Sequence, residues 1–494
     1  MSADWRTVAS LVGTVTKALA VPLALSAAVA FVYREPTAPF LLPAAGSLLL
    51  GVGLERLPRR DIGIREAFLM VSLTWLVVAL VGALPFLLVG SGTFVSPVDA
   101  VFESMSGITT TGATVVESFD AHPRGLLFWR QLVQWLGGLG ILVLAVGLLS
   151  QLEVGGAQLM ETETQTQDVT KLTPRISQTA RLIGGLYVGL TALVVVVLLG
   201  LNVAGLAPRM GPYNAVAHAL TSVSTAGFSP EAESVGAFSP VVQWTLTGAM
   251  LVGATNFVLL YALVRGRFRR LRDSEELWFY LSVVAGASAL LAVVLRIDGE
   301  FAGLEPTLRH ATFQVASIVT TTGYATVDFD LWSPAAKHLL FLGMFVGGMA
   351  GSTTCSIKSF RWLVVVKTLR RDLFTEIHPD AIRPIRVGGT VVDEGTIRDV
   401  NAYVVLSLLI FAFLTVFVVV ETADSGLGVT EFDAMGIAAA TFLNIGPAFG
   451  VAGPYGSYAG LSPATKWVLV VLMWVGRIEI VPVLVVLTPA FWRS

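Results

Sequence analysis

Residues 308–326 read LRHATFQVASIVTTTGYAT: a short, partly apolar segment runs into three threonines, Thr320, Thr321 and Thr322, and then into Gly323. A helix needs about 20 apolar residues to cross a bilayer, so this segment is expected to enter and turn back rather than span. The pattern recurs. VDAVFESMSGITTTGATV (98–115) brings Thr109, Thr110 and Thr111 to Gly112, and YNAVAHALTSVSTAGFS (213–229) brings Ser224, Thr225 and Ala226 to Gly227. FDAMGIAAATFLNIGPAFG (432–450) brings Leu443, Asn444 and Ile445 to Gly446. The four glycines follow one another at intervals of 115, 96 and 123 residues. One unit of span, short segment, glycine turn and span therefore repeats four times.

The surrounding sequence places these turns in a membrane. Of 494 residues, 54% are hydrophobic and 13% charged, about half the charged share of a soluble domain. Ten runs are long and apolar enough to be spans: 11–32, 40–57, 67–89, 126–149, 183–204, 241–264, 277–295, 336–369 (interrupted), 403–420 and 465–487. The expected fold is an all-α membrane protein of ten transmembrane helices. Two N-terminal helices (1–62) precede four pseudo-symmetric helix, pore loop, helix repeats around one pore, at 63–175, 176–272, 273–385 and 386–494. No small-residue cleavage site follows the first run, so it is read as a retained span.

Basic residues collect in loops on one side, with Arg56, Arg59, Arg60 and Arg65, then Arg265 to Arg272, then Lys367, Arg370 and Arg371. The positive-inside rule puts that side, and both termini, in the cytoplasm. The opposite loops carry fifteen acids and few bases, an arrangement that concentrates cations. A net charge of -2 with no basic stripe argues against a nucleic-acid partner. The single cysteine, Cys355, and five scattered histidines offer no transition-metal site, and no H-E-x-x-H or G-x-S-x-G motif supports an intramembrane enzyme, the remotest alternative.

Backbone that is not helical is tolerated at membrane depth only where it is buried in protein or lines water, so the four turns are expected to converge on an axis. Glycine lets the backbone aim a carbonyl inward, and a ring of carbonyls can replace the hydration shell of a monovalent cation. The candidate ion-binding residues are Thr110, Thr111 and Gly112; Thr225, Ala226 and Gly227; Thr321, Thr322 and Gly323; and Asn444, Ile445 and Gly446. Glu103 and Asp433, on the short segments, read as acids that attract cations or solvate a vestibule. Below the third turn, GGMAGSTTCSIK (347–358) interrupts span eight with Gly347, Gly348, Gly351, Ser352, Thr353 and Lys358. This is a candidate gate, although close packing by small residues would account for the composition as well. Arg477 lies inside the last span and needs a partner there. Glu479, two residues on, is expected to face elsewhere, and Lys358 to gate the pore or to reach the cytoplasmic interface. Trp5, Trp129, Trp278 and Trp492 are candidate interfacial anchors.

TTTGA, STAGF, TTTGY and NIGP, together with WLGGLGI at Trp135 to Ile141, resemble the Trk/Ktr/HKT superfamily of potassium transporters across nearly the whole chain. The two leading spans make the chain more similar to the TrkH type than to the shorter KtrB type. The resemblance implies potassium as the transported ion, with glycine at all four filter positions, and no cofactor in this chain. It implies an intramembrane gate loop in the third repeat held by the arginine of the last span. It further implies a homodimer in the cell membrane, with a cytoplasmic nucleotide-binding regulatory subunit of the TrkA type. Symport coupled to H+ or Na+, or poorly selective K+/Na+ transport, are the competing functions.

Overall fold

The computed structural model describes residues 4–60, 62–90, 92–147 and 176–493. The cytoplasmic end expected for the first repeat, 148–175, lies outside the described residues. Among the described residues seven helices are long and apolar enough to cross a membrane: Trp5–Val32, Ala38–Glu55, Ile64–Val89, Arg124–Leu144, Thr179–Val203, Glu275–Asp298 and Glu394–Thr422. These correspond to seven of the ten expected spans.

The other three are broken. Pro240–Gly253 and Phe257–Val264 meet at 106°, and Pro463–Arg477 and Val481–Leu487 at 117°. Counting each bent pair once gives up to nine spans among the described residues. The remaining expected span, 336–369, is two helices, Pro334–Gly343 and Ser359–Ile377, separated by an irregular loop. Each bend has a local cause. Asn256 caps the helix that follows it, its side chain accepting from the backbone N–H groups of Val258 (2.8 Å) and Leu259 (3.0 Å). Glu479 and Ile480 both hold φ of 62°, a left-handed conformation that no α-helix can continue through. Arg386–Val387 and Thr390–Val391 pair as the one two-stranded antiparallel sheet among the described residues.

The N-terminal helices pack by backbone approach. A methyl group on Gly51 would lie 2.6 Å from both the Gly13 carbonyl oxygen and Lys17 Cβ, and the Lys17 ammonium pairs with Glu55 beside this contact. Trp5, Trp278 and Trp492 are exposed as anchors would be. Trp129 is not. It is buried and donates from Nε1 to the Gly82 carbonyl (2.9 Å), because its indole fills the space between its own helix and Ile64–Val89. Gly51→Leu should lower the stability of the detergent-solubilised protein by about 1–3 kcal/mol through overpacking, read as a lower midpoint of thermal unfolding. Gly46→Leu, where an added Cβ meets nothing within 4 Å, should leave that midpoint in place.

Candidate ion-conducting site

Four short helices carry the glycine turns: Pro97–Ile108, Pro212–Val223, Leu304–Val319 and Glu431–Phe442. Three have 12 residues, about 18 Å at 1.5 Å per residue, well short of a bilayer core. Pro97 and Pro212 sit at helix starts, where a missing N–H costs nothing. Asp433 forms a capping box with Thr430. It is therefore a helix-capping group and not a vestibule acid.

All four end alike. The backbone N–H groups of Thr111, Ala226, Thr322 and Ile445 reach back to the carbonyls of Ser106 (2.9 Å), Thr221 (2.9 Å), Ser317 (2.8 Å) and Ala440 (2.8 Å). Those of Thr110, Thr225, Thr321 and Asn444 reach Gly107, Ser222, Ile318 and Thr441. This is the Schellman arrangement, which requires a left-handed residue usually supplied by glycine or asparagine. Here φ is 53° at Thr110, 49° at Thr225, 52° at Thr321 and 57° at Asn444. A threonine held there costs roughly 1–2 kcal/mol. Two residues on, Gly112, Gly227, Gly323 and Gly446 take φ of 82°, 81°, 81° and 103°.

These glycines close a ring. A methyl group on Gly112 would lie 2.6 Å from the Ala226 carbonyl oxygen, and one on Gly446 would lie 2.5 Å from that of Thr111. At Gly227 and Gly323 the collisions, with the Thr322 and Ile445 carbonyl oxygens, are closer still. Each turn thus abuts the next, in the order one, two, three, four and back to one. All four glycines line a single cavity of about 320 Å³, which also takes in Glu117, Glu231, Tyr455 and Tyr458. The carbonyl oxygens of Thr111, Gly112, Gly227, Thr322, Gly323 and Ile445 accept no hydrogen bond from the described residues.

Side chains brace the ring from behind. Thr109 bonds Thr111, and Thr320 bonds Thr322, each at 2.7 Å between hydroxyls. Asn444 departs from the threonine pattern by donating from Nδ2 to the Thr111 hydroxyl (2.8 Å) and the Met473 carbonyl (2.9 Å). Gln134 donates to the Ala226 carbonyl (2.6 Å) and accepts from Phe228 N–H (2.9 Å). Tyr458 donates to the Gly446 carbonyl (2.7 Å). Neither Gln134 nor Tyr458 stands in the turn motif, and only a polar side chain within an apolar span hinted at Gln134. Glu103 is also no vestibule acid. It is fully buried and pairs with Arg130 at 2.7 Å.

The loop between Gly343 and Ser359 folds directly against this ring. Its ends are tied by Gly347 N–H to the Ile357 carbonyl (2.9 Å) and Ser359 N–H to the Gly348 carbonyl (3.0 Å). Gly351 has φ of 73°, and the Ser352 hydroxyl donates to the Met349 carbonyl at 2.6 Å. Two contacts reach the turns: the Thr353 hydroxyl meets that of Thr225 at 2.9 Å, and Cys355 N–H donates to the Thr321 hydroxyl at 3.0 Å. From the break in the second repeat, Asn256 donates to the Ala350 carbonyl (2.7 Å).

Arg477 is buried and donates to the carbonyls of Thr353 (3.0 Å) and Gly137 (2.9 Å) and to Cys355 Sγ (2.7 Å). Lys358 is buried. Its ammonium bonds Glu479 at 2.8 Å, and Arg361 bonds the other oxygen of the same carboxylate at 2.6 Å. Glu479 faces the loop because its helix has already ended at Arg477, which is why helical spacing misplaced it.

The family model for TrkH, cation transport protein, matches residues 52–494. The Trk system potassium uptake protein TrkH of Halomonas elongata is 38% identical over 89% of this chain and 88% of its own length. That of Salmonella typhimurium is 35% identical over 99% of this chain and all of its own. The crystal structure of the potassium transporter TrkH from Vibrio parahaemolyticus superposes with a TM-score of 0.88 at 31% identity, covering 99% of this chain and 100% of that one. This multi-helix membrane protein therefore belongs to the TrkH cation transport family.

Proposed function

We propose that this protein takes up potassium across the cell membrane through the axis enclosed by its four glycine turns. The observation that carries the reading is the cyclic abutment of each glycine on the carbonyl before the next. Unbonded carbonyls on such a ring can stand in for water around a dehydrated alkali cation. The four short helices end at the ring, so their C-terminal partial negative charges add to that field. Residues Thr110 to Gly112, Thr225 to Gly227, Thr321 to Gly323 and Asn444 to Gly446 are the filter. The membrane potential supplies about 2.3 kcal/mol per charge per 100 mV. The relatives named as Trk system potassium uptake proteins support the choice of ion.

The loop 347–358 is the gate. It lies against the filter hydroxyls of Thr225 and Thr321, and Arg477 holds it with a charge that repels cations from the same passage. Conduction is favoured over symport because the buried carboxylates of Glu103 and Glu479 are committed to ion pairs with Arg130, Lys358 and Arg361, and that of Asp433 caps its own helix. The basic loops support a topology with both termini in the cytoplasm, where a nucleotide-binding subunit of the TrkA type acts on a homodimer.

In proteoliposomes, potassium flux should follow an imposed potential without a proton or sodium gradient; flux that required either gradient would overturn conduction. Gly112→Ser should lower the K+/Na+ flux ratio at least about fivefold, since a side chain at positive φ costs roughly 1–2 kcal/mol. An unchanged ratio would remove Gly112 from the filter. Arg477→Ala, which frees the Thr353 and Gly137 carbonyls, should raise basal potassium flux severalfold and speed amide exchange across 347–358. Parental flux with parental exchange would remove Arg477 from the gate.

A further inference from the structure

Nine residues before each filter glycine, the short helix presents a different residue to its own filter strand: Glu103, His218, Gln314 and Ile437. His218 meets the Ser229 hydroxyl at 3.0 Å, and Gln314 donates to the Thr326 hydroxyl at 3.2 Å. Both are neutral contacts within one repeat. Ile437 has no polar group, and there Tyr458 holds the strand from outside, bonding the Gly446 carbonyl through its hydroxyl.

Glu103 differs in kind. Its carboxylate accepts from Val115 N–H (2.9 Å), the Thr114 hydroxyl (2.9 Å) and Arg130 Nε (2.7 Å). Arg130 then crosses to the second repeat. It donates to the Ser229 carbonyl (3.3 Å) and stacks on Phe228 at 3.9 Å from the ring centre, while a third nitrogen bonds the Thr114 hydroxyl (3.2 Å). Val115 and Thr114 follow Gly112 closely, and Phe228 adjoins Gly227. One buried ion pair therefore ties the exits of the first and second filter strands to each other, and no equivalent charge pair joins the third strand to the fourth among the described residues.

We propose that Glu103 and Arg130 are positioning residues that set potassium over sodium preference by fixing the separation of the first two filter strands. The inference rests on the glycine ring being the filter. Charge-assisted hydrogen bonds are the strong ones, and a buried pair of this kind resists the inward collapse that coordination of the smaller sodium ion requires. Neutrality of the pair also matters: a lone Arg130 beside the axis repels cations, and a lone Glu103 attracts both ions alike.

The test uses the full chain in proteoliposomes, with potassium and sodium flux measured for the parent, Gly112→Ser and the double variant Glu103→Gln/Arg130→Gln, which leaves no unpaired buried charge. The double variant should lower the K+/Na+ ratio about tenfold, the scale of one lost charge-assisted hydrogen bond. If that protein is not recovered folded, Thr114→Val, which removes only the bridging hydroxyl, decides in the same way with a smaller expected drop of about two- to threefold. A parental ratio in the deciding variant, with Gly112→Ser lowered, overturns this proposal and leaves the filter standing. A parental ratio in both overturns the filter reading along with it.

Discussion

The whole arrangement depends on backbone meeting backbone at four points around one axis. Gly112, Gly227, Gly323 and Gly446 each occupy space that a methyl group would contest with the carbonyl oxygen of a neighbouring repeat. No side chain can be inserted into one contact without pushing on the next, because the contacts form a closed cycle. The left-handed residue two positions earlier sets the approach. At three of the four sites that residue is a threonine, not the glycine a Schellman turn favours. The strain is local to the place where carbonyls must be aimed, and the surrounding hydroxyl pairs hold it.

From this ring the remaining structure follows outward in layers. Behind three of the turns a following helix comes close through its own glycine: methyl groups on Gly137, Gly253 and Gly476 would strike the carbonyls of Ile108, Val223 and Phe442. In the third repeat the equivalent helix is interrupted, and the loop that replaces it is bonded to the hydroxyls of Thr225 and Thr321, to Asn256 and to Arg477. Arg477 also binds Gly137 of the first repeat, so the arginine that holds the loop is itself anchored outside its own repeat. Its far end is secured by the Glu479 carboxylate between Lys358 and Arg361, and Arg361 stacks on Tyr403 at 3.8 Å. A loop fastened at so many points has one well-defined resting position, and displacing it requires a coordinated loss of contacts.

Much of this was legible in the amino-acid sequence because it is written in short-range features. Hydropathy marks the long helices, and the glycine turns recur with threonine neighbours; the small-residue break in span eight stands out against its apolar flanks. What escaped reading depends on contacts between distant residues. Glu103 and Arg130 are 27 residues apart, Lys358 and Glu479 are 121 apart, and Asn444 meets Thr111 across 333 residues. Single-chain patterning cannot pair them. At the bend near Ile480 the local signal is Pro482, in the first turn of the helix after the break, but it does not say that the first helix stops at Arg477 and frees Glu479 to turn toward the loop. Trp129 resembled an anchor by composition, yet its neighbours place it in the core.

The central claim concerns where a dehydrated ion sits, and anomalous scattering reads that position directly. Crystals of the protein grown with rubidium in place of potassium should give an anomalous difference peak on the axis, at coordinating distance from carbonyls of all four glycine turns. Rubidium bound elsewhere, with no peak inside the ring, would contradict the account.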